Sequence, residues 1–243
     1  MAVIVTLNNS RVAAAAKEAT ATIPIPFVFS VDTDPVKTGL VASFARSGGN
    51  ATGITYSATG VSEKRLELLH TLAPKAVRVA ILVNPANGQS ADATLRIVED
   101  AARSVRLQTK VLNASTSREI DEVFASLAHE RADDVLFVAA DGFLQSHNDQ
   151  LVALTARDKI PTAYPDRAAV AAGGLMSYGT NPGPDMHRRV GVYTGTILKG
   201  AKPADLPVYQ STNPVLFINR KTAEALGLEI PRMMMVSATE LID

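Results

Sequence analysis

The residues best suited to do chemistry in this sequence are polar side chains that directly follow short apolar runs. Asn8 follows the first run, Asn84 follows a later one, and Asp141 and Asp166 follow two more. Amide groups can hydrogen-bond a carboxylate, whereas carboxylate side chains can pair with an ammonium group. The pattern therefore predicts that the chain binds a small polar molecule through hydrogen bonds and ion pairs.

The apolar runs are rich in β-branched residues and alternate with longer segments of helical character, which predicts an α/β fold with mostly parallel strands. We expect strands at Val3–Thr6, Pro26–Ser30, Val77–Val83, Gln108–Leu112, Asp134–Ala139, Pro161–Tyr164, Leu175–Tyr178 and Val215–Ile218. We expect helices near Ser10–Thr20, Ser62–Leu72, Gln89–Val105, Thr116–Glu130, Leu144–Asp158, Pro184–Lys199 and Arg220–Leu226. Ligands of such folds bind beyond the carboxyl ends of strands, so the polar residues there are the candidate site.

The first two strands offer candidate contacts to a ligand carboxylate. Asn8, Ser30 and Thr33 can hydrogen-bond such a group, although each could instead cap the helix that follows it. Asp32 and Asp34 lie in the same loop. Asp34 precedes a proline, and a turn is the favoured role for it because the residue before proline is held extended.

The later strands offer candidates for the rest of a ligand. Asp141 and Asp166 could each pair with an ammonium group, and the alternative is that each is a solvated helix cap. Phe143 and Tyr164 are candidate aromatic walls. Asn84 is a further candidate, although before a proline it could simply end a strand.

Turn-rich segments predict that the chain passes repeatedly between two lobes. We expect residues 1–53 with 179–207 to form a first lobe, residues 54–178 with 208–243 a second, and hinge crossings near 53–60, 173–181 and 207–214. Two-lobed clamps bind their ligands at the hinged cleft. Candidate contacts at the crossings, for which hinge packing is the alternative, are Thr55, Tyr56, Ser57, Ser177 and Tyr178.

Composition argues against several other classes of protein. Lys plus Arg and Asp plus Glu number 24 each, so no net charge attracts the chain to nucleic acid or to an anionic membrane. The absence of cysteine and the scattered spacing of the four histidines argue against a metal site. No glycine-rich phosphate motif predicts a nucleotide cofactor, and Leu175 stands where a nucleophile elbow needs glycine. We therefore expect a non-catalytic protein without a cofactor.

Blocks along nearly the whole chain resemble one known family. They lie at Ile23–Phe29, Asp34–Val36, Gly39–Ser43, Gly48–Gly53, Lys64–Leu69, Asn84–Asn87, Gly173–Gly179, Ile197–Pro207 and Ile218–Gly227. In order and spacing they resemble the substrate-binding proteins of ABC transporters related to tryptophan and tyrosine uptake. The resemblance implies a type I periplasmic binding protein with two α/β lobes. It also implies an amino acid or similar carboxylate as solute, a membrane permease as partner, and an extracytoplasmic location.

The start of the chain departs from that family. Family members carry an export leader and about two further βα units, so this chain is similar to an N-terminally shortened member. Residues Met1–Thr6 are too short and uncharged for a signal peptide, and no apolar run is long enough to span a bilayer. We expect an incomplete first lobe whose bared apolar surface could support a homodimer.

Two other classes of function stay open at this stage. The ligand-sensing domain of a regulator shares the predicted architecture, but it would be expected with a helix-turn-helix and a basic surface, and neither is visible. An α/β hydrolase or isomerase would need an acid–base pair in the cleft.

Overall fold

The computed structural model describes residues 2–7, 9–31, 33–55, 60–128, 134–180, 183–211 and 214–243. The strands are β1 Ile4–Thr6, β2 Phe27–Val31, β3 Ala51–Thr55, β4 Arg78–Val83, β5 Gln108–Asn113, β6 Asp134–Val138, β7 Thr162–Tyr164, β8 Met176–Thr180, β9 Tyr209–Gln210, β10 Pro214–Asn219 and β11 Glu240–Ile242. The helices are α1 Ser10–Ala19, α2 Val61–Leu72, α3 Gly88–Ser104, α4 Ser117–Ala128, α5 Gly142–Ser146, α6 Asn148–Arg157, α7 Arg167–Ala171, α8 Gly183–Leu198, α9 Arg220–Ala225 and α10 Arg232–Ser237. Short 3-10 turns lie at Pro85–Asn87 and Pro203–Asp205.

The chain divides into two compact units, each built from two segments. Unit 1 comprises residues 1–58 and 180–213, and unit 2 comprises residues 59–179 and 214–243. The chain therefore passes between the units three times. Each unit has its own parallel sheet, so each can hold side chains at the carboxyl ends of its strands.

Unit 1 is a four-stranded parallel sheet in the order β1-β2-β3-β9. Every residue of β2 is buried, and alternate side chains reach opposite faces of the sheet. Phe27 and Phe29 pack with Ala13 of α1, whereas Val28 packs with Val190 of α8. Helices therefore cover both faces of β2, which explains why its sequence is apolar.

Unit 2 is a seven-stranded sheet in the order β11-β10-β8-β7-β6-β4-β5. The neighbouring strands whose register is defined run parallel. After β4 the chain adds β5 on one side and then β6 on the other, so the direction of winding reverses between β4 and β6. Such a reversal opens a crevice at the carboxyl ends of the two strands, where open α/β sheets bind ligands.

The core of unit 2 lies between this sheet and its helices. Strand β4 is buried from Val79 to Val83, and Leu136 and Phe137 of the neighbouring β6 are fully buried. Helices α2 and α3 pack against each other, α2 also contacts β6 and β7, and α4 contacts α6. Burying each Leu, Ile or Phe side chain stabilises the folded state by about 2 kcal/mol. This apolar layer therefore supports the strand ends that carry the polar residues.

The structure differs from the sequence prediction at several elements. The helix predicted over Leu144–Asp158 is two helices, α5 and α6, which meet at His147, where φ is −112° and ψ is 22°. Residues Ala51–Thr55 form β3, a strand that is absent from the sequence prediction. Gly53 is required there because a Cβ would lie 2.1 Å from the carbonyl oxygen of Phe29. Four further elements were not predicted, namely α7, β9, α10 and β11.

Candidate functional site

At the crevice between β4 and β6, Asn84 and Asp141 contact each other directly. Asn84 follows β4 and Asp141 follows β6, and the amide Nδ2 of Asn84 donates to Oδ1 of Asp141 over 3.0 Å. Both side chains are buried, with exposed fractions of 9% and 7%. The sequence placed both residues beyond strand ends, and the reversal of the sheet brings them together.

Asp141 has most of its hydrogen-bonding capacity occupied within the protein. Its Oδ1 also accepts from the backbone N–H groups of Phe143 and Leu144, at 2.9 and 3.2 Å, and so caps α5. Its Oδ2 accepts from Nδ2 of Asn87 over 3.1 Å. These four hydrogen bonds satisfy the carboxylate oxygens within the protein, without an ammonium partner. The geometry therefore matches the capping alternative for Asp141.

Asn84 is held in the same way by neighbours on both sides. Its Oδ1 accepts from the backbone N–H of Ala86 at 3.0 Å and from the hydroxyl of Ser115 at 2.9 Å. The backbone N–H of Ser115 in turn donates to Glu119 over 2.6 Å, at the start of α4. Sequence reasoning missed Asn87 and Ser115. The 3-10 turn Pro85–Asn87 that follows Asn84 could have indicated Asn87.

A second polar cluster lies beyond β7, around Asp166. The Oδ1 of Asp166 accepts from the backbone N–H of Ala169 over 3.1 Å and thereby caps α7. Nδ2 of Asn148 lies 3.2 and 3.4 Å from the two carboxylate oxygens. The Oδ1 of Asn148 is buried and has no hydrogen-bond partner in the part of the chain that the structure describes. Sequence reasoning missed Asn148.

Arg65 of α2 lies within electrostatic reach of Asp166. The Arg65 side chain is buried, with 2% exposed, and its guanidinium lies 4.1 Å from the centre of the Phe137 ring. Its Nε has no hydrogen-bond partner among the described residues. Burial lowers the pKa of Arg65 to about 9, and attraction to Asp166 only partly offsets this effect. Sequence reasoning missed Arg65 because a charged residue on a helix is usually exposed.

The aromatic candidates have different surroundings. Tyr164 is fully buried, and its hydroxyl lies 2.8 Å from the hydroxyl of Thr155. Burial raises the pKa of Tyr164. The ring belongs to the core of unit 2, which does not fit the predicted aromatic wall. Phe143 is half-buried beside Asp141, and its ring lies 4.4 Å from that of His147.

The candidates on β8 lie inside unit 2 or at its margin. Ser177 is 1% exposed, and Tyr178 is half-buried and packs on the core cluster. Four predicted site residues lie outside the described residues, namely Asn8, Asp32, Tyr56 and Ser57.

In unit 1, hydrogen bonds link Ser10, Thr33 and Thr55 at the carboxyl ends of β1, β2 and β3. The hydroxyl of Thr55 donates to the carbonyl oxygen of Thr33 over 2.9 Å, and the hydroxyls of Ser10 and Thr33 lie 2.9 Å apart. Ser30 is fully buried within β2. Asp34 accepts from the backbone N–H groups of Val36 and Lys37, at 2.9 and 3.1 Å, which is the turn geometry that the sequence favoured.

A surface pocket of unit 1 lies at the opposite edge of the sheet. Its lining includes Pro24, three residues before β2, and Asn50, directly before β3, together with Lys17 and Thr20 at the end of α1. Lys17 donates there to the carbonyl oxygens of Gly39 and Leu40. The pocket is therefore at the amino ends of the strands, away from the edge where parallel α/β sheets bind ligands.

Two kinds of feature are absent from the residues that the structure describes. No group of three or more His, Asp or Glu side chains there is placed to hold a metal ion. Over the same residues, the helices are all too short or too polar to cross a bilayer.

Comparison with known proteins decides the family. Residues 2–242 match the family described as ABC transporter substrate binding protein. The chain belongs to this family. Its members bind solutes, which is not a catalytic role, and the resemblance seen in the sequence is confirmed.

The chain is also similar to individual proteins. It is 29% identical over 213 residues to a tyrosine-binding protein of Clostridioides difficile (strain R20291), a match that covers 86% of this chain and 59% of that protein. The chain thus spans about three fifths of that relative's length.

Two solved structures share the fold. One is an ABC domain from Streptococcus pneumonia in complex with L-Trp, with a TM-score of 0.82 and 25% identity over 99% of this chain and 78% of that one. The other is a conserved domain protein from Vibrio cholerae, with a TM-score of 0.81 and 25% identity over 98% and 78% of the two chains. The predicted fold class, a two-lobed type I periplasmic binding protein with parallel sheets, is confirmed.

Proposed function

We propose that this chain is the solute-binding component of an ABC transporter and that its solute is an amino acid, with aromatic amino acids as the leading candidates. The observation that carries the proposal is the family match over residues 2–242. The tyrosine-binding relative and the L-Trp complex support the choice of solute. In each unit, polar side chains lie at the carboxyl ends of strands, and such groups are of the kinds that bind a zwitterion.

In this proposal the two compact units act as lobes that close on the solute. The predicted hinges near 53–60, 173–181 and 207–214 would absorb the change in backbone angles. Closure is a shift in population toward the state that binds the solute better, and no covalent bond is made or broken. The proposed role is therefore transport and not catalysis.

We propose that the closed form binds the permease of the transporter and that this contact is made outside the cytoplasm. A lobed binding protein delivers its solute by presenting it to a membrane protein. The family assignment does not support a homodimer, so none is included.

A thermal-shift panel tests the proposed function. The protein is heated with L-tyrosine, L-tryptophan, L-phenylalanine and L-leucine, and D-ribose serves as the uncharged control. A solute at about a hundred times its Kd stabilises the folded state by about 2.7 kcal/mol, which raises the melting temperature by several degrees. We expect that shift with at least one aromatic amino acid and none with ribose. Folded protein that responds to none of the amino acids would contradict the proposal.

A further inference from the structure

Arg65 is the one strongly desolvated charge in unit 2 for which the described residues provide no hydrogen bond at Nε. Removing a charged group from water is costly unless hydrogen bonds and an opposite charge replace the lost hydration. The ring of Phe137 contributes a cation–π contact, but it carries no net charge to balance the guanidinium. The buried guanidinium of Arg65 therefore lacks a hydrogen bond at Nε among the described residues, and an anionic ligand could supply one.

Arg65 lies toward the carboxyl edge of the sheet, which is where parallel α/β sheets bind ligands. Helix α2 leads into β4, so its end at Leu72 lies toward the amino edge and its start at Val61 toward the carboxyl edge. Arg65 is in the second turn of α2 and feels the charge of Asp166, which directly follows β7. The guanidinium is therefore held near the strand ends by a rigid helix and a buried ring.

Next to Asp166, a hydrogen-bond acceptor lacks a donor among the described residues. The Oδ1 of Asn148 is a buried acceptor without a described partner, while Nδ2 of the same residue bonds the Asp166 carboxylate. Reversing the amide would not help, because Oδ1 would then face the carboxylate oxygens. A donor from outside the chain would satisfy Asn148, and an ammonium group would also pair with Asp166.

From the unpartnered donor of Arg65 and the unpartnered acceptor of Asn148 among the described residues, we infer which groups bind the solute. Arg65 binds its carboxylate, and Asp166 with Asn148 binds its ammonium group. An α-amino acid carries both groups on one carbon atom, so one solute can satisfy both sides of the cluster. The inference rests on the proposed function and names the residues of unit 2 that select a zwitterion. It leaves the selection of the side chain to other residues.

A structural role and a solute-binding role for Arg65 predict opposite effects of its removal on the stability of the solute-free protein. If the guanidinium stabilised the fold, Arg65→Met would lower the melting temperature of the solute-free protein. If it is an uncompensated charge held for a solute, the same variant raises that temperature, by about 3 °C or more, because a methionine fills the volume without desolvating a charge. Arg118→Met is the matched control, since Arg118 is exposed on α4 of the same unit.

Calorimetric titration with a pair of solutes tests the contact itself. L-Tryptophan and tryptamine differ only in the carboxylate, and L-tyrosine with tyramine forms a second pair. For the wild-type protein we expect the amino acid to bind at least about a hundredfold more tightly than the amine. In Arg65→Met this ratio falls to within about threefold, through loss of amino-acid binding and not through gain of amine binding. Arg65→Lys keeps the charge and is expected to recover only part of the ratio.

The outcomes separate the inference from the proposed function. Arg65→Met protein that keeps the wild-type ratio, or that melts several degrees lower without solute, overturns the inference while amino-acid binding stands. If Arg65→Met does not fold, the ratio measured on Arg65→Lys decides, and an unchanged ratio again overturns the inference. Wild-type protein that binds neither amino acid contradicts the proposed function and the inference together.

Discussion

Two polar clusters of unit 2 lie at strand ends and differ in how fully they are satisfied. Around Asn84 and Asp141, four side chains form a network in which both carboxylate oxygens and the Asn84 amide have partners. Around Arg65, Asp166 and Asn148, a buried donor and a buried acceptor have no described partner. A satisfied network fixes the local fold, whereas an unsatisfied one costs stability and is kept where a ligand completes it. This difference is the basis of our proposal that the second cluster binds the solute and the first stabilises the fold.

The largest expected effect is on the satisfied cluster. Asp141→Ala removes the cap of α5 and leaves the amides of Asn84 and Asn87 without their acceptor. We expect a loss of about 3 kcal/mol in the free energy of unfolding, measured by urea denaturation. Asp100→Ala is the control, because Asp100 is exposed and its described ion pair is with exposed Arg103, so the change in stability should be less than about 0.5 kcal/mol. Equal losses in the two variants would remove the distinction between the clusters.

The second prediction concerns the pH dependence of the unsatisfied cluster. Because the pKa of Arg65 is lowered to about 9 in the folded protein, the unfolded chain binds this proton more tightly. The cost of the buried charge is therefore complete below about pH 9 and shrinks as the pH rises above it. We expect solute-free Arg65→Met to be more stable than wild type by about 2 kcal/mol at pH 7. The gap should narrow between pH 9 and pH 10.5, and a gap that widens over this range would contradict the account.

A smaller effect is expected at the other side of the same cluster. Asn148→Ala removes an acceptor that no described residue uses and one hydrogen bond to Asp166. We expect the Kd for the amino acid to rise about tenfold while the free energy of unfolding changes by less than about 1 kcal/mol. Gln108→Ala, at the exposed start of β5, is the control for both measurements. A loss of stability without a change in Kd would move Asn148 to the structural cluster.

The smallest effect is expected at Tyr164. Tyr164→Phe removes one buried hydroxyl and its contact with Thr155, which keeps a second partner in the carbonyl oxygen of Val152. We expect a loss of about 1 kcal/mol in stability and a Kd within about twofold of wild type. A large change in Kd would restore the aromatic wall predicted from the sequence.

The sequence predicted the fold and the positions of Asn84, Asp141 and Asp166 beyond strand ends, but not the contacts that these side chains make. Apolar runs such as Val79–Val83 predict buried strands, and polar residues such as Asn84 and Asp141 follow from their place after those strands. Strand β3 was not predicted because a glycine such as Gly53 suggests a turn. Glycine is needed at this position because Phe29 lies so close that a Cβ would not fit. Helices α5 and α6 were merged because nothing in the periodicity marks the break at His147.

Arg65 could not be found from its local sequence. The segment Lys64–Leu69 carries charged residues on a helix, a pattern that usually indicates a solvated face. What buries Arg65 is the ring of Phe137, 72 positions later in the chain, and what makes it informative is the absence of a described partner for Nε. Both depend on tertiary packing, which a periodicity argument does not contain.

A crystal structure of the protein with bound L-tryptophan would show which groups hold the two charged ends of the solute. We expect the solute carboxylate to lie within about 3 Å of the Arg65 guanidinium, with the ammonium group of the solute against Asp166 and Asn148. A solute whose carboxylate is held instead at Asn84 and Asp141, or by unit 1 alone with Arg65 unliganded, would contradict it.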